Sequence, residues 1–354
     1  MDNGLEGVIA AETVLSHTDG ERGVVLVRGY TVQNLIAHHG YDGAVALLWD
    51  GFAGEGLTRA GILKAFADGR QLAFSRLDGW LEAAARRPLL EGVRVCLAAV
   101  PDESTPAQIA AAMSVGIAAL LRAQLGLAPI APDVSLGTTA DFLRMLHGAP
   151  ADKPIADALD TYFCAVIDNG LNASTFAARV VASTRASLAS AVVGAYCAFT
   201  GALHGGAPGP TLDMLDEAAA SGDIDAWLER KLAAGGRLMG FGHRVFRVRD
   251  PRADALRESL QRLGPSVGRL AFAADFERRA LAALKRHKPD RSLQTNLEIN
   301  AALLLDAVGL AREAFMPVFA LGRCAGWIAH ALEQQKTGRL IRPLSNYVGP
   351  QPAD

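Results

Sequence analysis

Apolar residues recur three or four positions apart along most of this chain, a period that fits one face of an α-helix and not the alternation of a strand. The pattern is clearest at 42–48, 109–124, 155–167 and 174–193. These stretches are rich in Ala and Leu, which lose little side-chain freedom in a helix. Strand signals are scarce. The best is Gly23-Val24-Val25-Leu26-Val27-Arg28-Gly29-Tyr30, β-branched and bounded by glycine, which suits a short β-hairpin near the N-terminus. Strands and helices do not alternate, so a doubly wound sheet is excluded. The expectation is an all-α fold with one small hairpin.

At 354 residues the chain is long for a single domain of roughly 100–200 residues. Gly and Pro punctuate it at 126–132, 148–154 and 205–210, most densely in His204-Gly205-Gly206-Ala207-Pro208-Gly209-Pro210. A more charged stretch follows, and apolar texture returns after Gly309. We therefore expect one domain over 1–206, a second over 207–312, and a return to the first over 313–354.

Composition excludes several function classes. Half of the residues are hydrophobic and 20% are charged, enough to build a large core. The 35 Lys and Arg nearly balance the 37 Asp and Glu, so no basic excess is available for a phosphate backbone, and no nucleic-acid partner is expected. The four cysteines lie far apart without a CxxC pair, against a disulfide framework and against zinc. Neither HxxxH nor HExxH occurs, and no metal is expected. The start MDNGLEG lacks the pattern of a signal peptide, and the longest uncharged apolar stretch, 188–203, falls short of the ~20 residues that a bilayer needs. A cytoplasmic protein without a membrane partner is the expectation.

Among eight histidines, His204 and His243 stand in glycine-dense surroundings, where a ligand approaches the backbone closely and a histidine exchanges protons near neutral pH. Taken singly, each motif reads equally well as a helix-ending loop. His17, His38, His39, His147 and His287 read as surface residues. Arg252, Arg323 and Arg342 each sit in structured contexts. Converging arginines suit a di- or tricarboxylate, although structural ion pairing is the alternative. Thr295-Asn296-Leu297-Glu298-Ile299-Asn300 reads as a helix start with Glu298 in the first turn.

Gly240-Phe241-Gly242-His243-Arg244-Val245 followed by Asp250-Pro251-Arg252 resembles the signature of the citrate synthase family. The likeness extends along nearly the whole chain. It takes in Asp19-Gly20-Glu21-Arg22-Gly23, Arg28-Gly29-Tyr30, Asn172-Ala173-Ser174-Thr175, Leu203-His204-Gly205-Gly206-Ala207, Gly326-Trp327-Ile328-Ala329-His330, Arg342-Pro343 and Tyr347-Val348-Gly349, all in the family's order.

The resemblance implies a two-domain helical homodimer that closes over oxaloacetate before an acyl-CoA binds. It implies an acyltransferase of the tricarboxylic acid cycle, which turns acetyl-CoA, oxaloacetate and water into citrate and CoA through an enol and citryl-CoA. No cofactor is held permanently, and coenzyme A arrives as the thioester substrate. His204 is then similar to the histidine that bonds the thioester carbonyl, and His243 to the one that protonates the ketone. Arg252 and Arg323 resemble the carboxylate clamp, and Arg342 resembles an arginine lent by the partner subunit. Arg247, Gly240 and Gly242, with Lys288 and Arg291 more loosely, correspond to the coenzyme A site. Two positions depart from the pattern: Glu298 replaces an aspartate base, and Asn169 replaces a substrate-binding histidine. A 2-methylcitrate synthase using propionyl-CoA is the alternative, and the apolar neighbours of Glu298 suit a longer acyl chain. A non-catalytic paralogue binding CoA or a dicarboxylate is the reading from a different class.

Overall fold

The computed structural model describes residues 4–5, 7–205, 208–242, 246, 248–264, 269–290 and 293–350. Three short strands come first: β1 (Ser16–Asp19), β2 (Val24–Val27) and β3 (Tyr30–Thr31), antiparallel in that order, with Asp19 opposite Val24 and Val27 opposite Tyr30. Helices follow: α1 (Val32–His38), α2 (Gly40–Trp49), α3 (Arg59–Ser75), α4 (Leu81–Ala85), α5 (Leu89–Ala98), α6 (Pro106–Gln124), α7 (Thr138–His147) and α8 (Lys153–Val166). Next are α9 (Ala173–Ser183), α10 (Leu188–Phe199), α11 (Pro208–Ala220), α12 (Ile224–Ala233), α13 (Pro251–Leu263), α14 (Leu270–His287), α15 (Glu298–Ala307) and α16 (Phe315–Thr337). The all-α expectation holds.

Local chemistry sets many of the helix starts. Thr105 and Gln108 form a reciprocal capping box ahead of α6, with Pro106 at its first position. Asn172 accepts the Ser174 and Thr175 amides to start α9, and Asp250 accepts the Arg252 amide to start α13. The hairpin expected over 23–30 forms: Arg28 and Gly29 both have positive φ, as a two-residue hairpin turn requires, and they join β2 to β3. One expectation is corrected. The periodic run 174–193 is two helices, because Arg185 takes a left-handed backbone and Ser187 caps a new helix. The apolar stretch 188–203 is helical only to Phe199, and Leu203 is 87% exposed.

α16 runs through the core. Trp49 Nε1 donates to its Ala325 carbonyl at 3.0 Å, and Trp327, Ile328 and Cys324 are buried. Burial of each such large side chain contributes roughly 1.5–3 kcal/mol. At Gly326 a Cβ would lie 2.2 Å from the Ile167 carbonyl oxygen, so only glycine lets α16 lie this close to the end of α8. By length and apolarity alone, α6 and the stretch ending in α16 pass as bilayer-crossing helices, but most of each is buried inside the protein.

One partly buried acid has a consequence for stability. Asp160 of α8 accepts the Tyr41 amide at 3.0 Å, and Asp42 lies in the same first turn of α2. Burial, reinforced by the Asp42 charge, pushes Asp160 up to about 6. The folded state thus holds this proton more tightly than the unfolded chain. The cost of the partly buried anion is fully present above pH 6 and is relieved as pH falls towards ~4. Asp160→Asn should raise stability by about 1–3 kcal/mol at pH 8 and give no advantage near pH 4. Urea midpoints at the two pH values check this; a variant less stable than wild type at pH 8 would overturn it.

Candidate active site

His204 lies five residues past the end of α10, its ring 5.1 Å from Phe199 and tilted against it. Its Nε2 faces the Ser174 backbone N–H at 3.3 Å and the Ser174 hydroxyl at 2.9 Å. Nε2 also lies 3.2 Å from Asn172 Oδ1, which accepts the same Ser174 N–H at 3.1 Å. Ser174 is itself fixed: its hydroxyl donates to Asn172 Oδ1 at 2.7 Å and accepts from Trp327 Nε1 at 3.1 Å. The start of α9 and the middle of α16 thereby hold His204 in place.

The segment 167–172 joins α8 to α9 and carries Asn169. Its Oδ1 accepts from Arg252 Nη1 at 3.2 Å. Arg252 is buried and held by Asp250, which takes Nε at 3.0 Å and Nη2 at 2.7 Å, leaving Nη1 to face Asn169. Arg323, also buried, donates through Nε to the Val166 carbonyl and lies 5.2 Å over the Phe319 ring. Among the described residues that is its one side-chain hydrogen bond. Burial pulls the Arg323 guanidinium down to about 10, the Asp168 charge opposes that fall, and the Arg252 charge adds to it. Arg323 therefore remains cationic at neutral pH, close enough to Arg252 to feel its charge. Such a pair is suited to an anion with two carboxylates.

Glu298 opens α15 as expected. Asn296 Oδ1 accepts its amide at 2.8 Å, and Asn296 Nδ2 ties back to the Gly242 carbonyl at 2.9 Å. Its Oε2 accepts the Gly240 N–H at 3.1 Å. Gly240 has φ +83°, and a Cβ there would meet Ile299 Cγ1 at 2.5 Å, so the residue is required twice over. Burial raises the Glu298 carboxyl above its usual range, opposed by Gly240 N–H, Asn296 and the Arg237 charge. Leu297 and Ile299 are buried in the core and Asn300 donates to the Ala253 carbonyl at 3.0 Å. None of the three gives structural support to the longer-acyl-chain option.

The fold thus brings Asn169, Arg252 and Arg323 together, links His204 to the same loop through Asn172 and Ser174, and places Glu298 against Gly240. Arg342 is exposed on the extended segment after α16, and Lys288 ends α14; neither bonds to the other described site residues. His243, Arg247 and Arg291 lie outside the described residues. Sequence reasoning missed Asp168, Arg179, His330 and Glu333. His330 and Glu333 fall four and seven places after Gly326 on an apolar helix, a position that itself signals buried charge needing partners.

Two buried guanidiniums, an imidazole held at the start of α9 and a carboxylate of raised pKa stand on an all-helical scaffold, a set of groups chemically suited to small acids. The chain belongs to the citrate synthase family: residues 4–344 match the family model described as the citrate synthase C-terminal domain. It is 35% identical to the citrate synthase of Haloferax volcanii, covering 100% of this chain and 97% of that one. It is 33% identical to the 2-methylcitrate synthase of Mycobacterium tuberculosis, covering 99% and 91%. The citrate synthase of Thermoplasma acidophilum, solved as a ternary complex with carboxymethyl coenzyme A and oxaloacetate, superposes with a TM-score of 0.85 at 26% identity, covering 100% and 97%. Citrate synthases are condensing enzymes of the transferase type.

Proposed function

We propose that the protein condenses acetyl-CoA with oxaloacetate and hydrolyses the resulting citryl-CoA to citrate and CoA. The juxtaposition of Asn169, Arg252 and Arg323 supports this reading most directly. The two guanidiniums bind the two carboxylates of oxaloacetate, and Asn169 adds a neutral contact where the family pattern has a histidine. Glu298, ionised but only weakly stabilised as an anion, removes a proton from the methyl carbon of the thioester. His204 donates its Nδ1 proton towards the oxygen of the enol as it forms. The enol carbon then bonds to the oxo carbon of oxaloacetate, whose oxygen takes a proton from His243. Water cleaves the thioester and releases the thiol. Burial of the site limits competing hydrolysis.

Thiol release from acetyl-CoA, and separately from propionyl-CoA, with and without oxaloacetate tests the proposal. Oxaloacetate-dependent release is expected, with a higher kcat/KM for acetyl-CoA; no release from either donor would end it. The 2-methylcitrate reading rests on the likeness to that M. tuberculosis enzyme, and a higher kcat/KM for propionyl-CoA would establish it.

The site is proposed to be shared across a homodimer, with a small domain over 207–312 closing on the rest. Leu340, Leu344, Tyr347 and Val348 are exposed around Arg342, an apolar tail suited to lying on a second copy. Arg342→Ala should be inactive alone. Refolded in equal amounts with Glu298→Gln, it should recover about a quarter of wild-type activity, since half of the dimers are mixed and each carries one intact site. No recovery, from variants that dimerise normally, would argue against sharing.

A further inference from the structure

α16 presents Arg323, Gly326 and His330 at spacings of three and four, along one face. Each grips a successive position where the chain leaves α8. Arg323 Nε bonds the Val166 carbonyl, Gly326 lies against the Ile167 carbonyl, and His330 Nε2 is 3.2 Å from Asp168 Oδ2. The next residue is Asn169, which receives Arg252.

Behind His330 stands a second tier. Arg179 Nε and Nη2 reach His330 Nδ1 at 3.0 and 2.8 Å. Arg179 also pairs with Glu333 and donates to Gln334 Oε1 at 3.0 Å, while Glu333 Oε1 accepts the Val14 amide at 2.9 Å. A guanidinium only donates, so Nδ1 must accept; the proton of a neutral His330 is on Nε2 and is given to Asp168. All of these groups are buried, and a buried ionic network is seldom the most stable way to fill such a space. Burial opposes ionisation of Asp168, yet the His330 ring, the Ser16 hydroxyl and the Arg323 guanidinium hold its carboxyl below the usual range.

We propose that His330 and Asp168 are positioning residues for the dicarboxylate clamp: the His330 N–H fixes Asp168, which sets the backbone that carries Asn169 and keeps a compensating charge beside Arg323. The inference rests on the proposed role of Asn169, Arg252 and Arg323 in binding oxaloacetate. It concerns recognition of the oxoacid and leaves the acyl-CoA half of the site alone.

The test is steady-state kinetics of wild type, His330→Ala and His330→Gln, varying oxaloacetate and acetyl-CoA separately. Loss of the ring should raise the oxaloacetate KM about 10-fold or more through displacement of the clamp, with the acetyl-CoA KM within about twofold of wild type. Glutamine, whose amide can still donate to Asp168, should recover most of that loss. Unchanged KM values with a lowered Tm would make the network merely structural, and a parallel loss in both KM values and kcat would equally overturn the proposal. Should His330→Ala fail to fold, nitrogen-15 histidine spectra of the wild-type protein decide. His330 should show the Nε2–H tautomer and shift when oxaloacetate is added; the other tautomer, or indifference to oxaloacetate, would refute it. The wild type is assayed first: if it neither binds oxaloacetate nor releases CoA, the functional proposal fails and this inference falls with it.

Discussion

Glu298→Gln is expected to lower kcat by about 10²–10⁴-fold while leaving the fold intact. The amide is nearly isosteric and its oxygen can still accept the Gly240 N–H that now meets Oε2 at 3.1 Å. What it loses is basicity. Because burial raises the Glu298 carboxyl, the ionised group carries a desolvation cost at neutral pH, and the variant should melt at the same temperature or higher. Activity lost without stability lost is the mark of a group kept for chemistry. The same shift fixes the sign of the pH profile. Only the ionised form abstracts a proton, so kcat/KM falls as pH drops through a pKa above the ordinary glutamate value. Glu298→Asp keeps a carboxylate on a shorter arm and should remain far more active than the amide. A glutamine enzyme turning over at the wild-type rate would remove Glu298 from this role.

His204→Ala should cost about 10²–10³-fold in kcat, the usual effect of removing one donor aimed at a developing oxyanion. The more telling comparison is between two amides. Asparagine places its N–H₂ near the position of Nδ1, whereas glutamine reaches towards Nε2. The proposed mechanism has Nδ1 as the donor, so His204→Asn should retain more activity than His204→Gln. The reverse order would mean that the working proton is on Nε2 and that the proposed tautomer is wrong. Trp327→Phe tests the supporting tier, because it removes only the donor to the Ser174 hydroxyl.

Much of the architecture was legible in the sequence because helices are written in local periods. The runs 109–124 and 155–167 correspond to α6 and α8, and Glu298 begins a helix as its capping pattern predicts. The misreading of 174–193 came from a feature that periodicity does not register: Arg185 adopts a left-handed backbone that its residue type disfavours and breaks an apparently continuous helix. The buried arginines were recognisable as unusual, but not their partners.

The sequence by itself determined the helical class, the order of the motifs and the residue types available for chemistry. Only the tertiary structure decided what state those residues are in. The bond from Asn169 to Arg252 spans 83 positions, and that from Asp168 to His330 spans 162. The anchoring of His204, the weakly stabilised anion of Glu298 and the persistent charge of Arg323 follow from donors and charges that lie near in space, not in the chain. The physical reason is that helix formation depends on neighbours within four residues, whereas ionisation and hydrogen bonding in a core depend on whatever the fold brings within a few ångströms.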